Sequence, residues 1–140
     1  MIQLNHGQLL STLARADADR IKALAETLID QVGEVEVVNS RTGLVMLPMR
    51  DSAGGTAFHL GEVLMSEAHI RADGVEGYGL RRGRDLEAVM AMALVDLALA
   101  RDIAKADCLE FCAAEAAGHA AEDDITLRRI EATRVDMETF

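Results

Sequence analysis

Arg81, Arg82 and Arg84 crowd one short stretch of the chain, with Gly83 among them and Asp85 directly after. An arginine beside a helix start can hold a phosphate, because the first N–H groups of a helix lack partners and its dipole is positive there. A plainer account uses the same residues for structure. Gly83 permits a turn, Asp85 caps the following helix, and Arg84 pairs with a carboxylate of this acidic chain. Arg82, Gly83, Arg84 and Asp85 are therefore candidate ligand- or partner-binding residues.

Asp96 is the second candidate, since it lies among Leu94, Val95, Leu97 and Ala98. A buried carboxylate without a partner is costly, so Asp96 is either a functional acid or one half of an ion pair with an arginine. Glu62 shares strand parity with Phe58, Leu60 and Leu64, and Gly61 before it suggests a β-bulge that turns it outward. Cys108, Cys112, Glu115 and His119 fall near one helical face. Four tetrahedral zinc ligands on one straight helix are geometrically awkward, and His6, His59 and His69 are scattered, so no metal is expected. Ser-His-Asp order, a Walker loop and a dinucleotide fingerprint are all missing. Gly77-Tyr78-Gly79 is a strand feature with no helix directly after it.

The elements that position these residues read as α+β. Leu9, Leu10 and Leu13 share one side of a short helix over 8–16. Asp17 or Asp19 caps a second helix carrying Ile21, Leu24, Leu28 and Val32, which ends at Gly33. Period-two patterning follows: a strand over 34–39, a turn at Arg41-Thr42-Gly43, and a strand over 44–49 that is apolar on both parities. Pro48 disfavours a central sheet position there. A glycine-containing loop covers 52–56. The next strand, over 57–71, has Phe58, Leu60, Leu64, Ala68 and Ile70 on its core side. Asp73-Gly74 turns the chain into a partner strand over 75–82.

A long helix capped by Asp85 comes next, apolar almost all round, which requires cover on every side, and the side away from the sheet is expected to be buried against a larger partner. After a break near Asp107, a helical segment over 109–121 is interrupted at Gly118, and Asp123 or Asp124 caps a last helix to about Thr133. The tail, 134–140, is expected to be an extended arm reaching a partner. The expectation is one domain over 1–140: N-terminal helices, an antiparallel meander of about four strands, then the apolar and C-terminal helices.

Half of the 140 residues are hydrophobic but only 3% are aromatic, so the core is built from Leu, Val, Ile, Ala and Met. A net charge of −10 argues against nucleic acid or an anionic membrane as partner. The longest apolar run, 88–100, is interrupted by Asp96 and falls short of the ~20 residues that span a bilayer. With no basic, apolar leader pattern at its start and two cysteines one turn apart, the chain reads as cytoplasmic with reduced thiols.

An ordered series of motifs runs from about Arg41 to the end of the chain. It comprises Thr42-Gly43-Leu44-Val45, Gly61-Glu62, Gly77-Tyr78, Gly83-Arg84-Asp85, the stretch 91–96, and Ala132-Thr133-Arg134-Val135-Asp136. In this series the chain resembles the PhnG family, small subunits of the bacterial carbon–phosphorus lyase core complex. The resemblance implies a subunit of the machinery that displaces adenine from ATP with a phosphonate, giving a ribose 1-phosphonate 5-triphosphate. It implies a PhnI-type large subunit that carries the chemistry, PhnH-type, PhnJ-type and PhnL-type components, and ATP as substrate of the complex. It implies no catalytic residue and no cofactor in this chain, and it adds Arg134 to the candidate partner-binding residues. A homo-oligomer is expected when the chain is isolated. The alternative is a free-standing enzyme or binding domain that holds a phosphorylated ligand at Arg82, Arg84 and the Asp85 helix start.

Overall fold

The computed structural model describes residues 4–50 and 57–138, with side-chain environments over 4–45 and 61–132. The expected loop at 52–56 lies outside the described residues. Helix α1 (His6–Arg15) opens on a reciprocal cap, in which Asn5 accepts from the Gln8 N–H and Gln8 accepts from the Asn5 N–H. Helix α2 (Ala18–Val32) is capped by Asp17, and Gly33 ends it at φ +77°. Strands β1 (Glu36–Arg50), β2 (Ala57–Ala72) and β3 (Val75–Arg82) form an antiparallel sheet in the order β1-β2-β3. Helices α3 (Leu86–Ala100) and α4 (Lys105–Glu138) complete the chain. The α+β class is as the patterning indicated.

Three expectations are corrected. The two strands expected over 34–39 and 44–49 are one strand. Arg41, Thr42 and Gly43 do not turn but pair with Glu67, Ser66 and Met65, so the sheet has three strands rather than four. Helix α4 is continuous where a break, a glycine interruption and a separate last helix were expected. Gly118 lies on an exposed face of α4, where a glycine costs about 1 kcal/mol against alanine, and its alanine-rich neighbours carry the helix through. The tail is helical rather than extended as far as Glu138.

Helix α3 is the centre of the fold. It packs on β3 and β2 and is covered on its other side by α2, with α1 and α4 against its flanks. Ala88, Val89, Ala91, Met92, Ala93, Val95, Leu97 and Ala98 are all buried. The cover that its apolar circumference demands is thus supplied within the chain, by α2, and not by the partner expected on that side. Ile21, Ala25, Leu28 and Val32 of α2 join Leu13 of α1 and the even-numbered Ala68, Ile70 and Ala72 of β2 in the same core. Asp73 and Gly74, both at positive φ, make the tight β2–β3 turn. A register shift between the pairs Leu47–Gly61 and Pro48–His59 places the expected bulge beside Gly61, and Glu62 is exposed.

Candidate functional site

Gly77 and Gly79 lie on the core face of β3 because α3 comes closer than any side chain permits. A Cβ on Gly77 would sit 2.4 Å from the Ala93 carbonyl oxygen, and one on Gly79 would sit 2.3 Å from that of Val89. At this distance α3 reaches the free edge of β3. Asp96 Oδ2 accepts the Tyr78 N–H at 3.0 Å, and Met92 Sδ accepts the Leu80 N–H at 3.3 Å. Four residues of helix rise about 6 Å and two residues of strand about 7 Å, so acceptors at i and i+4 match donors at i and i+2.

The buried Asp96 carboxylate therefore serves the sheet edge. Its other oxygen pairs with His6 Nε2 at 2.9 Å, at the start of α1. The partner is a histidine and a strand amide, not the expected arginine. Nothing in the sequence signalled His6, which is 90 residues away.

The Arg82–Asp85 stretch resolves differently. The Asp85 carboxylate caps Ala88 N–H at 3.0 Å and pairs with Lys22 at 2.7 Å; Lys22 holds its carboxyl below the usual aspartate range. The N-terminus of α3 thus already carries an anion of its own. Gly83 sits at φ +93°, donates to the Leu64 carbonyl and accepts from Ser66 Oγ, which welds the turn to β2. Arg81 is half-buried and donates to the Leu13 and Ala16 carbonyls at 2.6 and 2.7 Å, closing the C-terminus of α1. Burial pushes its pKa down. Arg82 and Arg84 are exposed and make no ion pair among the described residues. Asp96 lies eleven residues along α3 from Asp85, roughly 16 Å, so the candidates form two places rather than one. Arg134 lies on α4 beyond the described side chains.

Two polar clusters escaped sequence reasoning. On the sheet face opposite the core-facing Gly77 and Gly79, Glu76 accepts from Arg71, Tyr78 Oη and His69, and these donors pull its pKa down to about 2. His69 and Tyr78 stack with ring centroids 4.4 Å apart, and both line a cavity of about 510 Å³ with Leu10, Leu80 and Met92. Between α1, α2 and α4, the buried Glu115 pairs with Arg20 at 3.0 Å and lies 3.7 Å from His119. Cys108 and Cys112 are core residues whose thiols burial pushes up to about 11. Among the described residues no three His, Cys, Asp or Glu side chains are grouped to hold a metal, and no helix is long and apolar enough to cross a membrane.

Apolar side chains are also left open to solvent among the described residues. Strand β3 pairs only with 65–72 of β2, so the pairs from Leu44–Leu64 to Arg50–Ala57 form a two-stranded ribbon with no third strand. A free two-stranded ribbon is marginal in water. Consecutive strand residues point to opposite faces, yet Leu44 is 62% and Val45 48% exposed. Residues 120–132 of α4 are exposed throughout, including Leu127 at 61% and Ile130 at 58%. Among the described residues, ribbon and helix together expose Leu44, Val45, Ile125, Leu127 and Ile130.

Comparison with known proteins agrees with the motif series. Residues 5–140 match the family described as phosphonate metabolism protein PhnG. The chain is also 35% identical, over 91% of its length and 83% of the relative's, to a Rhizobium meliloti (strain 1021) protein named alpha-D-ribose 1-methylphosphonate 5-triphosphate synthase subunit PhnG.

Proposed function

Because this chain belongs to the PhnG family of phosphonate metabolism proteins, we propose that it is a non-catalytic but essential subunit of a cytoplasmic phosphonate-activating synthase. One observation carries this reading: the likeness, over nine-tenths of the chain, to a protein named as a subunit of such a synthase. The reaction proposed for the complex is displacement of adenine from ATP by a phosphonate, with the phosphonate joined to ribose C1 of the 5-triphosphate. Bond-making falls to a PhnI-type large subunit, and PhnH-type, PhnJ-type and PhnL-type components complete the machinery. This chain holds no cofactor and lends structure. Its buried carboxylates, Asp96 and Glu115, are engaged in structural pairings, and its exposed ribbon and α4 offer the large apolar contact typical of permanent subunits. When the partner is missing, the exposed apolar side chains of α4 favour self-association.

Phosphorus NMR of reactions with ATP and methylphosphonate tests the proposal. The ribose 1-phosphonate product is expected when this chain and the large subunit are both present. Product formed by this chain alone, or at an undiminished rate by the large subunit alone, contradicts it.

Arg82 and Arg84, exposed and without ion pairs among the described residues, favour a second reading: a phosphate-binding domain. The Asp85 carboxylate at the same helix start weighs against it. Tight calorimetric binding of ATP to the isolated chain, lost in Arg84→Ala, would make this the better account.

A further inference from the structure

The two edges of the sheet are finished differently. On β3 the outward N–H groups of Tyr78 and Leu80 are taken by Asp96 and Met92. On β1, fifteen residues long with a register shift between Val37 and Asn39, no comparable acceptor is found among the described residues. Its partner in the fold is β2, and no described backbone or side-chain group accepts from its outer amides. Natural edge strands are usually short, charged, bulged or covered, because an open row of N–H and C=O groups is a template for another strand.

The register identifies which amides form that row. The Tyr78 N–H points away from β2, so its partner His69 turns its own N–H and C=O towards β1 and Asn39. Alternation then directs the amides of Asn39, Arg41, Gly43 and Val45 inward and those of Ser40, Thr42, Leu44 and Met46 outward. The Leu64 carbonyl, which accepts from Gly83 and so points away from β1, gives the same phase for its partner Leu44. Pro48 has the outward parity, where a residue without an N–H loses nothing. A register shift between Val37 and Asn39 interrupts the alternation, so the regular, proline-free outer edge spans 39–47.

We infer that this edge receives an extended β-strand from the partner that covers the ribbon, adding a fourth strand beside β1. The chemistry indicates the kind of occupant: alternate backbone donors and acceptors over a nine-residue edge match those of another extended backbone. Side chains Leu44 and Val45, exposed on opposite faces of the ribbon, call for a strand flanked by apolar residues on both of its faces. A net charge of −10 makes a second copy the less favourable donor. The identity of the partner, the large synthase subunit, rests on the function proposed above.

Residue-resolved hydrogen exchange on the full chain, alone and co-purified with the PhnI-type subunit, tests the inference. In the isolated chain the amides of Ser40, Thr42 and Leu44 should exchange fast while those of Arg41 and Gly43 are already slow. In the complex the first set should slow by at least roughly tenfold. A complex that forms while Ser40, Thr42 and Leu44 stay fast overturns the inference and leaves the subunit reading standing. Absence of any complex overturns the subunit reading and with it the occupant named here. Protection of the same amides in the concentrated isolated chain assigns the edge to a second copy and also overturns it. Ser40→Pro and Leu44→Pro provide a second measure, because a proline at an outward edge position removes no bond within the sheet. Each variant, shown folded by circular dichroism, should bind the large subunit roughly tenfold or more weakly. Unchanged binding by both folded variants refutes strand addition.

Discussion

Gly77→Ala tests whether the close approach of α3 to β3 organises this fold. The added Cβ would lie 2.4 Å from the Ala93 carbonyl oxygen, 2.8 Å from Leu97 Cβ and 3.0 Å from the Leu97 nitrogen. Two of these neighbours are helix backbone and cannot rotate away. Ordinary contact begins near 3.4 Å, so α3 must retreat by about 1 Å. Overpacking of this kind costs about 1–3 kcal/mol. The same retreat lengthens the Asp96–Tyr78 and Met92–Leu80 hydrogen bonds, now 3.0 and 3.3 Å, beyond useful range. Losing two bonds of this class costs about 1 kcal/mol each.

The sum is about 3–5 kcal/mol, a large part of the roughly 5–15 kcal/mol that stabilises a typical domain. Urea denaturation followed by circular dichroism reads the loss directly, and the melting temperature should fall by roughly 10–15 °C. Gly43→Ala is the control. Its Cβ would meet nothing within 4 Å, and the expected change is within about 0.5 kcal/mol. A Gly77→Ala loss below about 1 kcal/mol, or one equal to that of Gly43→Ala, would refute the close-packing account.

Asp96→Ala removes the acceptor of the partly buried Tyr78 N–H and frees His6, and urea midpoints should register about 1–2 kcal/mol of destabilisation. Arg81→Ala removes both bonds that close the C-terminus of α1; the expected cost is about 2 kcal/mol, with faster exchange of α1 amides as the local readout. The Glu76 carboxyl, held near 2 by Arg71, Tyr78 and His69, should contribute stability fully above the unfolded glutamate range and lose it as pH falls towards 2. Carboxyl NMR titration checks the value, and Arg71→Ala should move it upward. Cys108 and Cys112, with thiols pushed up to about 11, should resist iodoacetamide at pH 8 in the folded chain and react on unfolding. Rapid labelling of the native protein would contradict their burial.

Much of the fold was legible in residue patterns because the physics there is local. Asp17, Asp85 and Gly33 act at the helix ends they mark, Asp73-Gly74 makes its turn, and Ala68 and Ile70 face the core as strand parity requires. Arg41-Thr42-Gly43 misled because its turn-like composition competes with pairing to β2, and long-range pairing wins. Helix α4 runs through Gly118 because nearby alanines outweigh one glycine. The cover of α3 by α2 required tertiary knowledge, since the same apolar pattern fits an internal or an external neighbour. The partners of Asp96 and Glu115 were illegible for the same reason: His6 and Arg20 are distant in sequence, and no spacing rule links them.

On the function proposed above, a larger subunit covers the β1–β2 ribbon and the exposed length of α4. Light scattering on the eluate of a gel-filtration column, with the chain co-expressed beside the PhnI-type protein, tests it most directly. One co-eluting peak, with a mass containing both chains in fixed ratio and stable to moderate salt, is the expected result. Two separate peaks, with this chain running as a monomer at high concentration, would contradict it.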